Sequence, residues 1–337
     1  MDVANSADDA ERATTDDAMR DPVVWNDWHP VAALDSLDTL DRSGASPAVM
    51  SARLLGVDIG VGVDRRDSVG GSGRSNGSGA NIGPSTRPFS ASTRAPHPYR
   101  AWRLDTLGPC HAKARYGVLW VCLGEPRRDL LAIPEADEPD RRLLHAGAFR
   151  VHVSGLRAVE NFLDMGHFPF VHTGYLGVEP YTEVAPYRIE RDEVNDELYA
   201  HDCRFYQPRA AMTAGAALDV QYVYRVARPY CAILYKTCPP QPERFDVIAL
   251  FVQPVDEDWC IAHTVMSYLD DASSDDELRG FQQTIFAQDI KVLVNQVPKR
   301  LPLGTGIEHP VRADAMSVAY RRWLSAQQIT YGTTHGR

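Results

Sequence analysis

The first twenty residues show no recurring apolar spacing. They are rich in Asp, Ala and Thr, a composition with no face to bury, and 1–20 reads as a disordered tail. From Val23 to Asp67 the pattern is strand and loop, and the segment Ala52 to Arg65 (ARLLGVDIGVGVDR) is the best strand candidate. Residues 68–96 are dominated by Gly, Ser, Pro and Thr and cannot offset their ordering entropy by burial, so they read as a mobile loop. Strand signals return at YRAWRL and from Tyr116 to Gly124. Beyond a Pro- and Asp-rich stretch at 133–141, the apolar period lengthens. Leu156, Val159, Phe162 and Leu163 fall at helical spacing, which predicts a helix from Gly155 to His167. Strand-like runs occupy roughly 184–253, with another at CIAHTVMSYL, and an amphipathic pattern predicts a long helix from Asp276 to Val297, stopped by Pro298. The order implies an α+β chain: a small β domain over 21–145, then a domain over 146–337 built from an antiparallel sheet flanked by helices. No internal repeat is present.

Composition narrows the function without naming it. With 337 residues, 44% apolar and 24% charged, the chain can bury one large core or two ordinary ones. The formal net charge is −10 and no Lys/Arg cluster is dense enough to follow a phosphate backbone, which argues against nucleic acid as a partner. The charge suits a positively charged partner surface. No apolar run reaches membrane-spanning length and the N-terminus is acidic, so the expected location is the cytoplasm. Six scattered cysteines (Cys110, Cys122, Cys203, Cys231, Cys238, Cys260), several in apolar strand-like settings, read as buried free thiols.

The chemistry concentrates in Glu160-Asn161-Phe-Leu-Asp164-Met-Gly-His167-Phe-Pro169-Phe-Val-His172. Spaced by three, Asn161, Asp164 and His167 would stack along one helix face. His172 lies five residues past His167, a spacing that turns two rings apart on a continuous helix. Both can meet one metal only if the helix breaks between them, and Pro169 offers a break. Two imidazoles and a carboxylate suit ferrous iron while leaving open positions. Asp289, among Ile285, Phe286, Ile290, Leu293 and Val294, is the candidate carboxylate, because an unpaired charge there would be costly to bury. Bland readings stand beside these: two histidines five apart also arise by chance, and Asp289 between Gln288 and Ile290, with Lys291 close by, could face solvent. The whole string carries more weight than any pair.

ENFLDMGHFPFVHTGYLG resembles the Glu-Asn-x-x-Asp-x-x-His-x4-His signature of the Rieske non-haem iron oxygenases, in the branch of vanillate O-demethylase and the methylxanthine N-demethylases. FAQDIKVLVNQVPKRLPLG is similar to the family's second segment, whose Asp is the third iron ligand, and RADAMSVAYRRWL to its closing segment. NDWHPVAALDSL and ARLLGVDIGVGVDR resemble the opening of its Rieske domain, so the likeness runs over roughly 21–325. The resemblance implies a helix-grip catalytic domain with His167, His172 and Asp289 as ligands of Fe(II). It implies catalytic roles for Asp164, which would link a ligand histidine to a cluster on a neighbouring subunit, and for Asn161. Val294, Asn295 and Phe286 are candidates for the substrate pocket.

A Rieske cluster needs two cysteines and two histidines. No Cys-x-His occurs in the chain, and where the family has Cys-Pro-Tyr-His-Gly-Trp the sequence reads His97-Pro98-Tyr99-Arg100-Ala101-Trp102. The N-terminal domain is therefore expected to be a degenerate Rieske-like domain without an intrinsic [2Fe-2S] cluster. Cys260-Ile-Ala-His263 stands alone in an apparent strand and reads as chance. The expected function is a terminal oxygenase subunit that hydroxylates or O- or N-demethylates a small aromatic or heteroaromatic substrate with O2. Electrons would come from a Rieske or ferredoxin-type reductase drawing on NAD(P)H, or from a cluster-bearing homologue, in a homo- or hetero-trimer. The alternatives are a non-catalytic scaffold subunit assembled with an active homologue, and a ligand-binding protein built on the same helix-and-sheet cavity.

Overall fold

A computed structural model describes residues 21–43, 49–63, 99–212, 214–304 and 306–334. The tail 1–20, the loop 68–96, His97 and Pro98 lie outside the described residues.

The N-terminal part is a six-stranded antiparallel sheet ordered β1-β6-β5-β4-β3-β2. Its strands are β1 (His29–Ala33), β2 (Val49–Leu54), β3 (Val57–Val63), β4 (Tyr99–Arg103), β5 (Pro109–Arg115) and β6 (Val118–Cys122). Where one strand is expected over Ala52 to Arg65, the described residues to Val63 form a hairpin instead. Leu55 and Gly56 both take positive φ, 52° and 78°, as a two-residue turn between right-twisted strands demands. Two helices also interrupt the region expected to be strand and loop, α1 (Pro22–Trp25) and α2 (Leu34–Arg42). Helix α2 buries only Leu37, so its sequence carries a thin apolar signal.

The second part is a seven-stranded antiparallel sheet ordered β7-β13-β12-β11-β10-β9-β8. It comprises β7 (Arg142–Val151), β8 (Arg188–Asp192), β9 (Glu197–Gln207), β10 (Leu218–Arg228), β11 (Cys231–Cys238), β12 (Gln241–Pro254) and β13 (Cys260–Tyr268). A short β14 (Leu301–Pro302) pairs in parallel with β15 (Thr333–Thr334). Helices α3 (Gly155–Leu163), α4 (Phe168–Val171), α5 (Asp275–Leu293) and α6 (Ala315–Ala326) complete the chain.

Both faces of the large sheet are covered, which is why its strands read as near-continuous apolar runs. Ile233, Val247, Ala249, Phe251 and Val265 pack against Trp28, Tyr116, Val118 and Trp120 of the first part, with the Trp120 and Phe251 rings 4.7 Å apart. The opposite face presents Tyr222, Tyr224, Leu234, Ile248 and Leu250 to a cavity closed by α3 and α5. The hairpin tip locks the two sheets together: the backbone N–H groups of Leu55 and Gly56 donate to the carbonyls of Pro254 and Val255, each at 2.8 Å.

Both long helices of the site are shorter than the sequence suggests. Helix α3 stops at Leu163, and Asp164 is extended with ψ at 127°. Helix α5 begins at Asp275 behind a Ser274–Glu277 capping box and ends at Leu293, short of Pro298. Cys110 is half-buried and the other five cysteines are buried, all as free thiols. Cys260 and His263, three apart on β13, point to opposite faces of the sheet. Among the described residues no helix is long and apolar enough to cross a membrane.

Candidate metal centre

Helix α3 is fixed at its start by Ser154, whose hydroxyl accepts from the Arg157 N–H, and by Gly155, where a Cβ would stand 2.8 Å from the Tyr230 ring. At its end the Asp164 carboxylate turns the chain. Oδ1 accepts from the Gly166 N–H at 2.7 Å while Oδ2 lies 3.0 Å from His167 Nδ1. His167 then caps α4, Pro169 occupies its first turn, and His172 closes it. Asn161, Asp164 and His167 therefore do not share one helical face. The break falls at Asp164, and Pro169 starts the next helical turn rather than ending the last. The outcome the spacing required still holds: the two rings lie 4.9 Å apart, centre to centre.

Asp289 arrives from the other side. Gln282, Ile285, Phe286, Asp289 and Leu293 recur at three- and four-residue steps, and all are buried on α5. Asp289 is 8% exposed, so the solvent-facing alternative does not describe it. Its Oδ1 lies 3.3 Å from His167 Nε2 and 3.1 Å from His172 Nε2, and the two Nε2 atoms are 3.0 Å apart. Bonds of about 2.1 Å to one ion at right angles would separate donor atoms by about 3.0 Å, so the triangle matches one face of an octahedron.

The far side of each ring is held as well. His167 Nδ1 faces Asp164, and His172 Nδ1 lies 2.8 Å from Gln288 Oε1. In the tautomers whose Nδ1–H groups donate to these acceptors, both Nε2 atoms would present lone pairs beside the Asp289 carboxylate, an arrangement that suits a cation. Asn161 Nδ2 donates to Asp289 Oδ1 at 3.0 Å. Without an ion, a proton on His167 balances the carboxylates instead. Burial pushes the His167 pKa down, but hydrogen bonds to Asp164 and Asp289 outweigh it and hold the ring at about 9. Burial likewise raises Asp289, and its bonds to both histidines overcome that to leave it at about 2. For Asp164 the His167 contact outweighs desolvation and lowers the carboxyl. Gln288 was not among the sequence candidates except as a polar neighbour, because its role depends on a residue far away in sequence.

The cavity beside this cluster is mostly apolar. Phe286 lines it, as does Asn161, whereas Val294 and Asn295 are exposed past the end of α5 and do not. Those two were expected on a helix running to Val297; once α5 ends at Leu293 they have no cavity to face. Two polar groups stand out in the lining: the Thr264 hydroxyl, buried without a hydrogen-bond partner among the described residues, and Lys236.

A sheet-and-helix cavity closed by two imidazoles and a carboxylate is the kind of architecture used by mononuclear non-haem iron oxygenases. Residues 151–327 match the family described as vanillate O-demethylase oxygenase C-terminal domain. The chain is 57% identical over 232 residues to the probable methylxanthine N7-demethylase NdmC of Pseudomonas sp. (strain TJI-51), covering 69% of this chain and 82% of that protein. It is 25% identical over 326 residues to the methylxanthine N1-demethylase NdmA of Pseudomonas putida, covering 88% and 87%. Among solved structures, Pseudomonas putida CBB5 NdmA with caffeine superposes with a TM-score of 0.64 at 19% identity, over 90% of each chain. Dicamba monooxygenase bound to 3,6-dichlorosalicylic acid does so at 0.64 and 13% identity, over 90% of this chain and 97% of that one. The chain thus belongs to the Rieske non-haem iron oxygenases, in the vanillate O-demethylase and methylxanthine N-demethylase branch. It is an enzyme, a non-haem iron oxygenase.

Proposed function

We propose that the chain is a terminal oxygenase subunit that removes an N-methyl group from a purine-like heteroaromatic, using Fe(II) held by His167, His172 and Asp289. The observation that carries this is the triangle of donor atoms at 3.0, 3.1 and 3.3 Å, with a fixed acceptor behind each imidazole. The substrate class is taken from the 57% likeness to a probable methylxanthine N7-demethylase and from the apolar, aromatic cavity. A ferrous ion there would supply oxygen activation. The net change is N–CH3 plus O2, two electrons and two protons to N–H, formaldehyde and water.

In this reading Asp164 and Asn161 are positioning residues: Asp164 sets the His167 tautomer and Asn161 holds the Asp289 carboxylate. The cavity's aromatic and aliphatic walls exclude water and lay a flat ring system beside the ligands. The two electrons must come from outside. No Cys-x-His exists in the sequence, and Arg100, which cannot ligate, stands where a cluster histidine is expected. A Rieske-bearing reductase, or a cluster-bearing homologue in a trimer, would deliver them near Asp164, whose side chain is 31% exposed.

Anaerobic reconstitution with Fe(II) followed by iron analysis tests the site, and about one iron per chain is expected. About three would point to an intrinsic cluster beside the mononuclear ion. Formaldehyde release from 7-methylxanthine, with O2, a Rieske reductase and NADH, tests the reaction. Iron uptake without formaldehyde would favour the scaffold alternative.

A further inference from the structure

Lys236 on β11 is a buried cation with too few partners. It is 5% exposed and lines the same cavity as the metal-ligand cluster. Its Nζ donates to the Ala210 carbonyl, and among the described residues it forms no ion pair. Asp246 sits opposite it in the strand register and attracts it, but no hydrogen bond joins the two, and that carboxylate accepts from the Leu269 N–H at 2.9 Å. An ammonium carries three N–H donors, so two are left over inside a largely apolar chamber, and burial pulls its pKa down to about 8.

Its place in the chamber matters. Lys236 is the cross-strand partner of Tyr222, whose ring lies 6.2 Å from Phe168, beside His167. The Ala210 corner that holds its ammonium adjoins Arg209, whose guanidinium stands 5.9 Å from the Phe281 ring centre. Phe281 and Asp289 both line the cavity, eight residues apart on α5 and therefore about 12 Å along the helix axis. The cation thus shares one aromatic slot with the ligand triangle, and its Ala210 corner lies toward the Phe281 end.

We infer that Lys236 receives a carbonyl oxygen borne on the substrate's ring, so the slot selects planar N-methyl heteroaromatics that carry a lactam carbonyl, or its deprotonated amidate form, away from the methyl turned to the triangle. This rests on the demethylase reading above and sharpens its substrate class. A purely structural Lys236, tethering the 208–210 corner, would affect all ligands alike.

The test is binding, by isothermal titration calorimetry on the full chain, of 7-methylxanthine and of 7-methylpurine, which has the same fused rings without the carbonyl oxygens. Wild type should bind 7-methylxanthine at least tenfold more tightly. Lys236→Met should remove that preference and leave 7-methylpurine binding unchanged. Lys236→Gln, which keeps an N–H donor for Ala210, should restore part of it, and it carries the comparison if the Met variant melts early. Equal affinities in wild type, or a parallel loss of both ligands in a folded variant, would overturn the assignment of Lys236 alone. Binding with the expected preference but no formaldehyde counts against the demethylase reading alone. If neither ligand binds, both fall.

Discussion

His172 Nδ1 lies 2.8 Å from Gln288 Oε1, and Gln288 immediately precedes Asp289 on α5. One turn of helix therefore supplies both a candidate ligand and the group that fixes the tautomer of another. Gln288→Leu removes the acceptor and frees the His172 ring. Metal affinity should fall about 10- to 100-fold, the usual cost of losing such a partner, with the circular dichroism unchanged. Competition between the protein and a chelator for Fe(II) or Co(II) reads this directly.

Asp289→Asn removes the charge that balances two imidazoles, and a loss of affinity beyond that of Gln288→Leu is expected. The variant should also lose the metal-dependent part of its thermal stability. A ligand held at 100 times its Kd stabilises by about 2.7 kcal/mol, so wild type should melt lower after chelation while the Asn variant does not respond. Paired melts with and without chelator decide it.

Gly177 packs against the turn that carries the histidines. A Cβ there would stand 2.7 Å from the Pro169 backbone nitrogen and 2.9 Å from the Phe168 carbonyl carbon, neither of which can swing away. Gly177→Ala should cost about 1–3 kcal/mol in a urea titration and weaken metal binding through the shift of α4.

The half-buried His145 ring and the buried His263 ring meet at 3.3 Å, Nε2 to Nδ1. Burial lowers both, and the neighbouring ring lowers His263 further, to about 3. An unfolded chain takes up those protons near pH 6.5, so between pH 6.5 and 3 it binds more protons than the folded chain and stability must fall with pH. Each ring contributes at most about 1.4 kcal/mol per pH unit. Urea midpoints at pH 7, 5.5 and 4.5 should decline, and less steeply in His263→Gln. An unchanged slope would remove His263 from the account.

The strands of the large sheet were legible as apolar runs, and the two helices of the site by the three- and four-residue spacing of their apolar residues. The ends of those helices were not. Asp164 stops α3 through a side chain-to-backbone hydrogen bond to Gly166, a local contest that spacing does not reveal, and proline looked the better breaker. The ordinary-looking Leu55-Gly56 pair hid a hairpin because leucine rarely adopts the left-handed conformation it holds here. His167, His172 and Asp289 were legible as a group only through the surrounding string. Gln288 and Lys236 acquire meaning from contacts across the fold.

The large sheet is a shared partition, with the chamber on one side and the N-terminal sheet pressed to the other. Trp28, Tyr116 and Trp120 roof over Phe251, Ile233 and Val247, so the N-terminal half has a mechanical duty independent of any redox one. Cutting the chain between the sheets would lay that apolar wall open to water. The half that holds the ligand triangle should therefore aggregate when expressed alone, and the N-terminal sheet remains indispensable even if it carries no electrons.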